Sequence, residues 1–225
     1  MSYKSIPCSN KILLLFILLL ALGCGSNEDM VDNTNGDNQT TAKNNVLLII
    51  ADDLGLDATP GYNIGNQKPI MPTLQKLINS GIKFNNVWSN PVCTPTRGTI
   101  LTGKYGYRTS VLKVDDVLST SEISIFKNLK NNTNYNSAFI GKWHLSGKPS
   151  DRNHPNNMGI DYYAGILGGG VSDYFNWTLS KNGQNSNVNQ YITSVFTDEA
   201  INWITSQNSS WFLCLSFNAP HTPFH

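Results

Sequence analysis

An α/β fold with a mostly parallel central sheet flanked by helices is predicted from three short apolar runs, at residues 46–50, 137–140 and 211–217. Each is nearly free of polar residues, the pattern of a strand covered on both faces rather than on one. Each also empties directly into polar or charged residues: Asp52-Asp53, Lys142-Trp143-His144 and Asn218-Ala219-Pro220-His221. In open α/β sheets, ligands gather beyond the carboxyl ends of the strands. Helical periodicity between the runs supplies the covering layers.

The 225 residues carry 16 basic and 15 acidic side chains, a formal net charge of +1. No basic field is present to attract nucleic acid, and none is expected as a partner. Residues 1–23 place Lys4 and Lys11 before an apolar stretch too short to span a bilayer, the layout of a secretory signal. The stretch closes on Ala21-Leu22-Gly23-Cys24, followed by Gly25-Ser26. This is similar to a bacterial lipoprotein cleavage box with Ala21 where Leu is usual, so Cys24 is the expected lipidation site. Residues 24–43 are rich in Asn, Asp, Gly and Thr and bury too little to fold, so they read as a flexible tether. The expected product is exported and lipid-anchored at a bacterial membrane, periplasmic or on the cell surface. The folded domain is expected over residues 44–225. With Cys8 removed by processing and Cys214 in an apolar run, four cysteines imply no disulfide framework.

After the first strand, residues 72–79 read as a helix with Leu74, Leu77 and Ile78 on one face and Gly81 as its stop. Residues 82–88 read as a strand leading to Cys93. Thr94 is a plausible N-cap for a short helix starting near Pro95, which sets Cys93 just before a helix N-terminus. Residues 121–130 form a further helix with Ile125, Phe126 and Leu129 inward, and residues 191–204 another. Residues 151–174, dense in Gly, Asn and Tyr, read as a long irregular excursion.

Several residues stand where chemistry would occur. Asp52 and Asp53 repel unless a cation neutralises them, which suits Ca²⁺ or Mg²⁺, but Asp is equally common in a solvated strand-to-loop turn. Lys142 and His144 taken singly are more often a surface lysine and a satisfied histidine. Arg97 offers a planar donor fork for a tetrahedral oxyanion. Residues 98–104 fit G-x-x-x-x-G-K, but Tyr105 replaces the Ser or Thr that a nucleotide loop needs, so that reading fails.

The string Cys93-Thr94-Pro95-Thr96-Arg97 resembles the Cys-x-Pro-Ser-Arg signature of the type I sulfatases, within the alkaline-phosphatase-like superfamily. Ile100-Leu101-Thr102-Gly103-Lys104, Asp52-Asp53, Gly141-Lys142-Trp143-His144 and Ala219-Pro220-His221 match further landmarks in order. The resemblance implies that Cys93 is converted to formylglycine by a maturation enzyme. One hydroxyl of the hydrated aldehyde then attacks sulfur, and the other expels sulfate. It also implies that Asp52, Asp53 and residue 93 hold a divalent cation, Ca²⁺ rather than Mg²⁺. Arg97 would stabilise residue 93, Lys142 and His221 would bind the sulfate, and His144 would act as a base.

Other metal ligands and a smaller C-terminal subdomain of the family come later than His225, so the chain resembles the N-terminal part of such an enzyme. The expected activity is hydrolysis of sulfate esters, with sulfated carbohydrates as substrates. An aromatic-rich segment at residues 162–177 is a candidate for stacking on sugar rings. Two alternatives are a phosphodiester or phosphonate monoester hydrolase using the same site, and an inactive, truncated sulfatase-like lipoprotein.

Overall fold

A computed structural model describes residues 44–224, so the leader and tether readings lie outside the described residues. Six strands form one mixed sheet in the order β1-β6-β2-β3-β4-β5, with β1 (Val46–Asp52), β2 (Asn136–Lys142), β3 (Tyr162–Ile166), β4 (Trp177–Lys181), β5 (Gln184–Val188) and β6 (Trp211–Pro220). β1, β6, β2 and β3 are mutually parallel, while β4 and β5 add an antiparallel hairpin at one margin. The longer helices are α1 (Pro72–Ser80), α2 (Cys93–Thr102), α4 (Ile125–Asn132) and α6 (Ile192–Thr205), with short turns α3 (Gly106–Thr109) and α5 (His154–Asn157).

Alternation along the central strands builds two cores. Phe139, Phe212 and Cys214 face one way, onto Phe126 of α4, Leu101 of α2, Trp143 and Tyr163. Ala138, Ile140, Leu213 and Leu215 face the other, onto Ile192, Phe196 and Ala200 of α6. Both faces of β2 and β6 are thereby removed from water, as their unbroken apolar runs require. Each large side chain so buried contributes roughly 1.5–3 kcal/mol. Four aromatic rings interlock at the first core: Phe139 meets Trp143 edge-on at 5.0 Å, and Phe126 meets Phe212 at 5.2 Å.

The structure departs from the sequence reading in four places. β1 is parallel as expected, but among the described residues it pairs with β6 alone. Leu48 and Ile50 pack on the core while Val46, Leu47 and Ile49 remain about half exposed, so only one of its faces is covered here. Residues 82–88 form no strand; no neighbouring chain pairs with them, and Ile82 and Trp88 are 85% and 91% exposed. The excursion at residues 151–174 contains α5 and β3. Gly165 hid β3 from view: a Cβ there would sit 1.8 Å from the Gly141 carbonyl oxygen, so the strand needs a residue that weakens its own pattern. The hairpin was unread because β5 is Gln-Asn-Ser-Asn-Val, a poor strand by composition. Its Asn182-Gly183 turn, with φ of 43° and 81°, was the available signal.

Candidate active site

Helix α2 starts two residues earlier than Pro95, at Cys93, with Val92 as an N-cap that makes no side-chain hydrogen bond. Thr94 is not the cap. Its hydroxyl accepts a hydrogen bond from the Asp115 backbone at 3.3 Å, tying the helix to the loop at residue 115. Cys93 therefore lies in the first helical turn, where free N–H groups and the helix dipole favour negative charge. Arg97 follows one turn later and is pulled inward. Its Nη1 donates to the Lys142 carbonyl at 2.5 Å and to Ser216 Oγ at 2.8 Å, and its Nη2 donates to Asp52 Oδ1 at 3.2 Å.

Lys142, fully buried at the end of β2, donates to the other Asp52 oxygen. The ends of β1 and β2 thus meet Arg97 of α2 and Ser216 of β6 in one network behind Cys93. Two cations share a single buried carboxylate, leaving a net positive charge in a poorly solvated place. Such a charge is costly alone and attracts an anion.

In front of that network lies a cavity of about 640 Å³, lined among others by Asp53, Cys93, Asp115, His144, Gly169 and His221. Cys93 Sγ is 3.2 Å from His144 Nδ1, and His144 Nε2 is 2.9 Å from Asp115 Oδ1. The carboxylate fixes the imidazole with its proton on Nε2, so Nδ1 faces Cys93 as an acceptor. The hydrogen bond with His144 holds the Cys93 thiol below its ordinary pKa against the opposing effect of burial, with the Lys142 charge helping. Cys214, sealed inside the sheet, goes the other way and is pushed up to about 12 by burial. His221 sits across the cavity with Nδ1 2.7 Å from the Thr222 carbonyl oxygen and Nε2 3.8 Å from Asp53 Oδ2.

Backbone strain concentrates in the same place. Asp53, Asp115 and His144 have φ of 64°, 65° and 57°, a region that non-glycine residues seldom adopt. Gly169 closes over the imidazole so tightly that a Cβ would approach His144 Cε1 to 2.5 Å.

The fold therefore brings Asp53, Cys93, His144 and His221 to one cavity. It sets Asp52, Arg97 and Lys142 into the wall behind it, and Lys142 does not line the cavity itself. A smaller cavity of about 270 Å³ on the other side of Cys93 is lined by Asp52, Asp53, Asn90 and Arg97. Sequence reasoning missed Asp115 and Ser216. Asp115 belongs to a loop without periodicity, and Ser216 is a small polar residue inside an apolar strand; only Lys113-Val114-Asp115-Asp116 as a charged cluster could have drawn attention. His154, which was assigned no role, is structural: it accepts from Trp143 Nε1 at 3.1 Å, and burial lowers its pKa. Most of the aromatic segment packs inside the fold, although Phe175 is 54% exposed and stacks on Tyr191. Tyr162 stacks on Trp203, Tyr163 and Tyr174 are buried, and Trp177 packs edge-on against Phe196.

For a divalent cation, Asp52 and Asp53 supply hard anionic oxygens on adjacent positions beside Cys93. Calcium takes six to eight oxygen ligands, and both Asp52 oxygens are already committed to Arg97 and Lys142. Among the described residues no cluster of three His, Cys, Asp or Glu side chains is placed to hold a metal ion. By themselves these residues do not complete the ligand set that calcium requires.

A nucleophile-bearing helix end, backed by excess positive charge beyond parallel strand termini, is the arrangement of a hydrolase for anionic esters. The sulfatase family model matches residues 44–225, and the chain belongs to the sulfatase family. It is 28% identical to the uncharacterized sulfatase YdeN of Escherichia coli K12, over 85% of this chain and 43% of that protein. To the N-acetylglucosamine-6-O-sulfatase of Bacteroides thetaiotaomicron it is 27% identical, over 83% of this chain and 32% of that one. Among solved structures, Ps i-CgsB in complex with k-i-k-neocarrahexaose superposes with a TM-score of 0.70 and 32% identity, covering 80% of this chain and 46% of that chain. The chain thus spans less than half the length of these relatives.

Proposed function

We propose that this chain carries the nucleophile-bearing part of a sulfatase that hydrolyses sulfate esters on sulfated carbohydrates, with Cys93 converted to formylglycine. The observation that carries the proposal is Cys93 in the first turn of α2, 3.2 Å from His144 Nδ1, within the Cys-x-Pro-x-Arg string. Relatives named for N-acetylglucosamine 6-O-sulfate and for a bound carrageenan oligosaccharide support the carbohydrate part. Once formed and hydrated, formylglycine supplies an oxygen nucleophile and a second hydroxyl for releasing sulfate. His144 takes a proton from that residue while Asp115 holds the opposite ring nitrogen. Arg97 anchors the helix turn and, with Lys142, supplies the positive charge that draws the sulfate. His221 lies across the cavity, where it can bind sulfate and give a proton to the leaving oxygen. Asp52 and Asp53 would contribute to a divalent cation, Ca²⁺ in preference to Mg²⁺, whose bound form supplies Lewis-acid stabilisation of the ester oxygens.

The test is mass analysis of the peptide containing residue 93, from a host with cysteine-converting activity, together with sulfate release from N-acetylglucosamine 6-sulfate and carrageenan oligosaccharides. Conversion replaces sulfur and two hydrogens by one oxygen. An unchanged thiol would refute the mechanism, and faster cleavage of an aryl phosphonate than of the matched aryl sulfate would refute the choice of ester. The leader supports a further proposal, export and lipid attachment through Cys24 at a bacterial membrane. Cys24→Ala should then move the protein from the membrane to the soluble fraction.

A further inference from the structure

A second cavity, of about 460 Å³, opens beside the first and shares Gly168 and Gly170 with it as a common wall. Its chemistry is different. The Cys93 cavity carries Asp53, Asp115, His144, Lys148 and His221. The second has no charged residue in its lining. The β4–β5 hairpin provides its floor, because Thr178 pairs with Asn187 and Ser180 with Asn185, placing these four side chains on one face. Asn176 and Ser172 complete the polar lining.

None of the side-chain amides of Asn176, Asn185 and Asn187, nor the hydroxyls of Ser172 and Thr178, is engaged by another group among the described residues. Ser180 is the sharper observation: it is 3% exposed and its hydroxyl has no hydrogen-bond partner among the described residues. Natural structures seldom leave such a group unmatched. Amides and hydroxyls without charge, each able both to donate and to accept, complement a neutral polyhydroxylated ligand rather than an anion. The cavity volume lies in the ordinary range for a bound small molecule.

We propose that this cavity is a binding subsite for an unsulfated sugar residue next to the sulfated one, so that the protein recognises an oligosaccharide rather than an isolated sulfated monosaccharide. The inference rests on the carbohydrate reading above and adds where the neighbouring sugar sits. The amides of Asn185 and Asn187 and the Ser180 hydroxyl bind ring hydroxyls, while the glycine wall lets the chain of sugars pass between the two cavities.

The experiment measures binding, so it does not depend on turnover. Neutral hexasaccharides, made by desulfating neocarrahexaose or built from N-acetyllactosamine, are titrated into the full-length protein by calorimetry and saturation-transfer NMR. Wild type and Cys93→Ala should bind at least one of them. Asn185→Ala/Asn187→Ala should weaken that binding at least tenfold, whereas Ser186→Ala, on the opposite face of β5, should not change it. Circular dichroism confirms folding; if the double variant is misfolded, Asn187→Ala alone serves in its place. Failure of both neutral probes to bind, or equal binding by Asn185→Ala/Asn187→Ala and Ser186→Ala, would overturn the subsite. An unmodified residue 93 with intact neutral-sugar binding would instead overturn the sulfatase mechanism and leave the subsite standing.

Discussion

Asp115→Asn is the most informative single change, because it alters one charge and almost no volume. The Asp115 carboxylate lies 2.9 Å from His144 Nε2, and His144 Nδ1 lies 3.2 Å from Cys93 Sγ. An amide in its place carries no charge, so it no longer stabilises the ring when Nδ1 takes the proton of residue 93. A hydrogen bond to a charged group contributes about 1.5–3 kcal/mol, and each 1.36 kcal/mol is tenfold in rate, so the limit is roughly ten- to hundredfold. Asp115 is 36% exposed, so solvent screening favours the lower end.

Two assays read the change. In protein with the thiol unmodified, alkylation of Cys93 by iodoacetamide is followed against pH. The sign follows from the cause: the His144 hydrogen bond lowers the Cys93 pKa, so weakening it moves the alkylation profile to higher pH and slows the reaction at neutral pH. In the converted enzyme, sulfate release should fall by about ten- to thirtyfold in kcat/KM, within the hydrogen-bond limit above. An alkylation profile that coincides with wild type would refute the claim that Asp115 orients His144.

Gly169→Ala should abolish most sulfate release with an unchanged circular dichroism spectrum, because its Cβ would displace the His144 ring from 2.5 Å. Asp52→Asn leaves Arg97 and Lys142 buried without their anion and should cost about 3–5 kcal/mol, read from the urea midpoint. Cys214, fully buried with its pKa at about 12, should resist iodoacetamide at neutral pH until the protein unfolds, while Cys93 reacts in the native state; peptide mapping distinguishes them.

The legible parts of this chain were those where one local pattern reports one physical demand. The runs at residues 137–140 and 211–217 had to be strands covered on both faces, and β2 and β6 are. Gly81 marked the end of its helix and Phe126 faces inward as read. That second helix starts at Ile125 behind Ser124 rather than at residue 121, and Ile125 is exposed. The motif residues Asp53, Cys93, His144 and His221 converge on one cavity because each follows, or nearly follows, a terminus on the same side of the sheet. What stayed hidden depends on contacts between distant segments. Asp115 matters through its bonds to His144 and Thr94, and Ser216 through Arg97 and the Lys142 carbonyl. Gly165 and Gly141 read as breaks, yet they are spaces into which neighbouring backbone fits. Residues 82–88 misled in the opposite sense, since β-favouring residues such as Ile82, Phe84, Val87 and Trp88 become a strand only where another strand pairs with them.

The sheet order has a consequence for timing. β6 is last in the described chain but lies between β1 and β2, so the two earlier strands have nothing to join them until residues 211–220 emerge. Before then Arg97 lacks Ser216, and the strand ends that enclose Cys93 are not in register. Residues 98–210 separate the motif from its wedge, and synthesis at about 5–20 residues per second makes that interval on the order of ten seconds. Once β6 inserts, Arg97 is held in the wall by Lys142, Ser216 and Asp52 and is only 4% exposed.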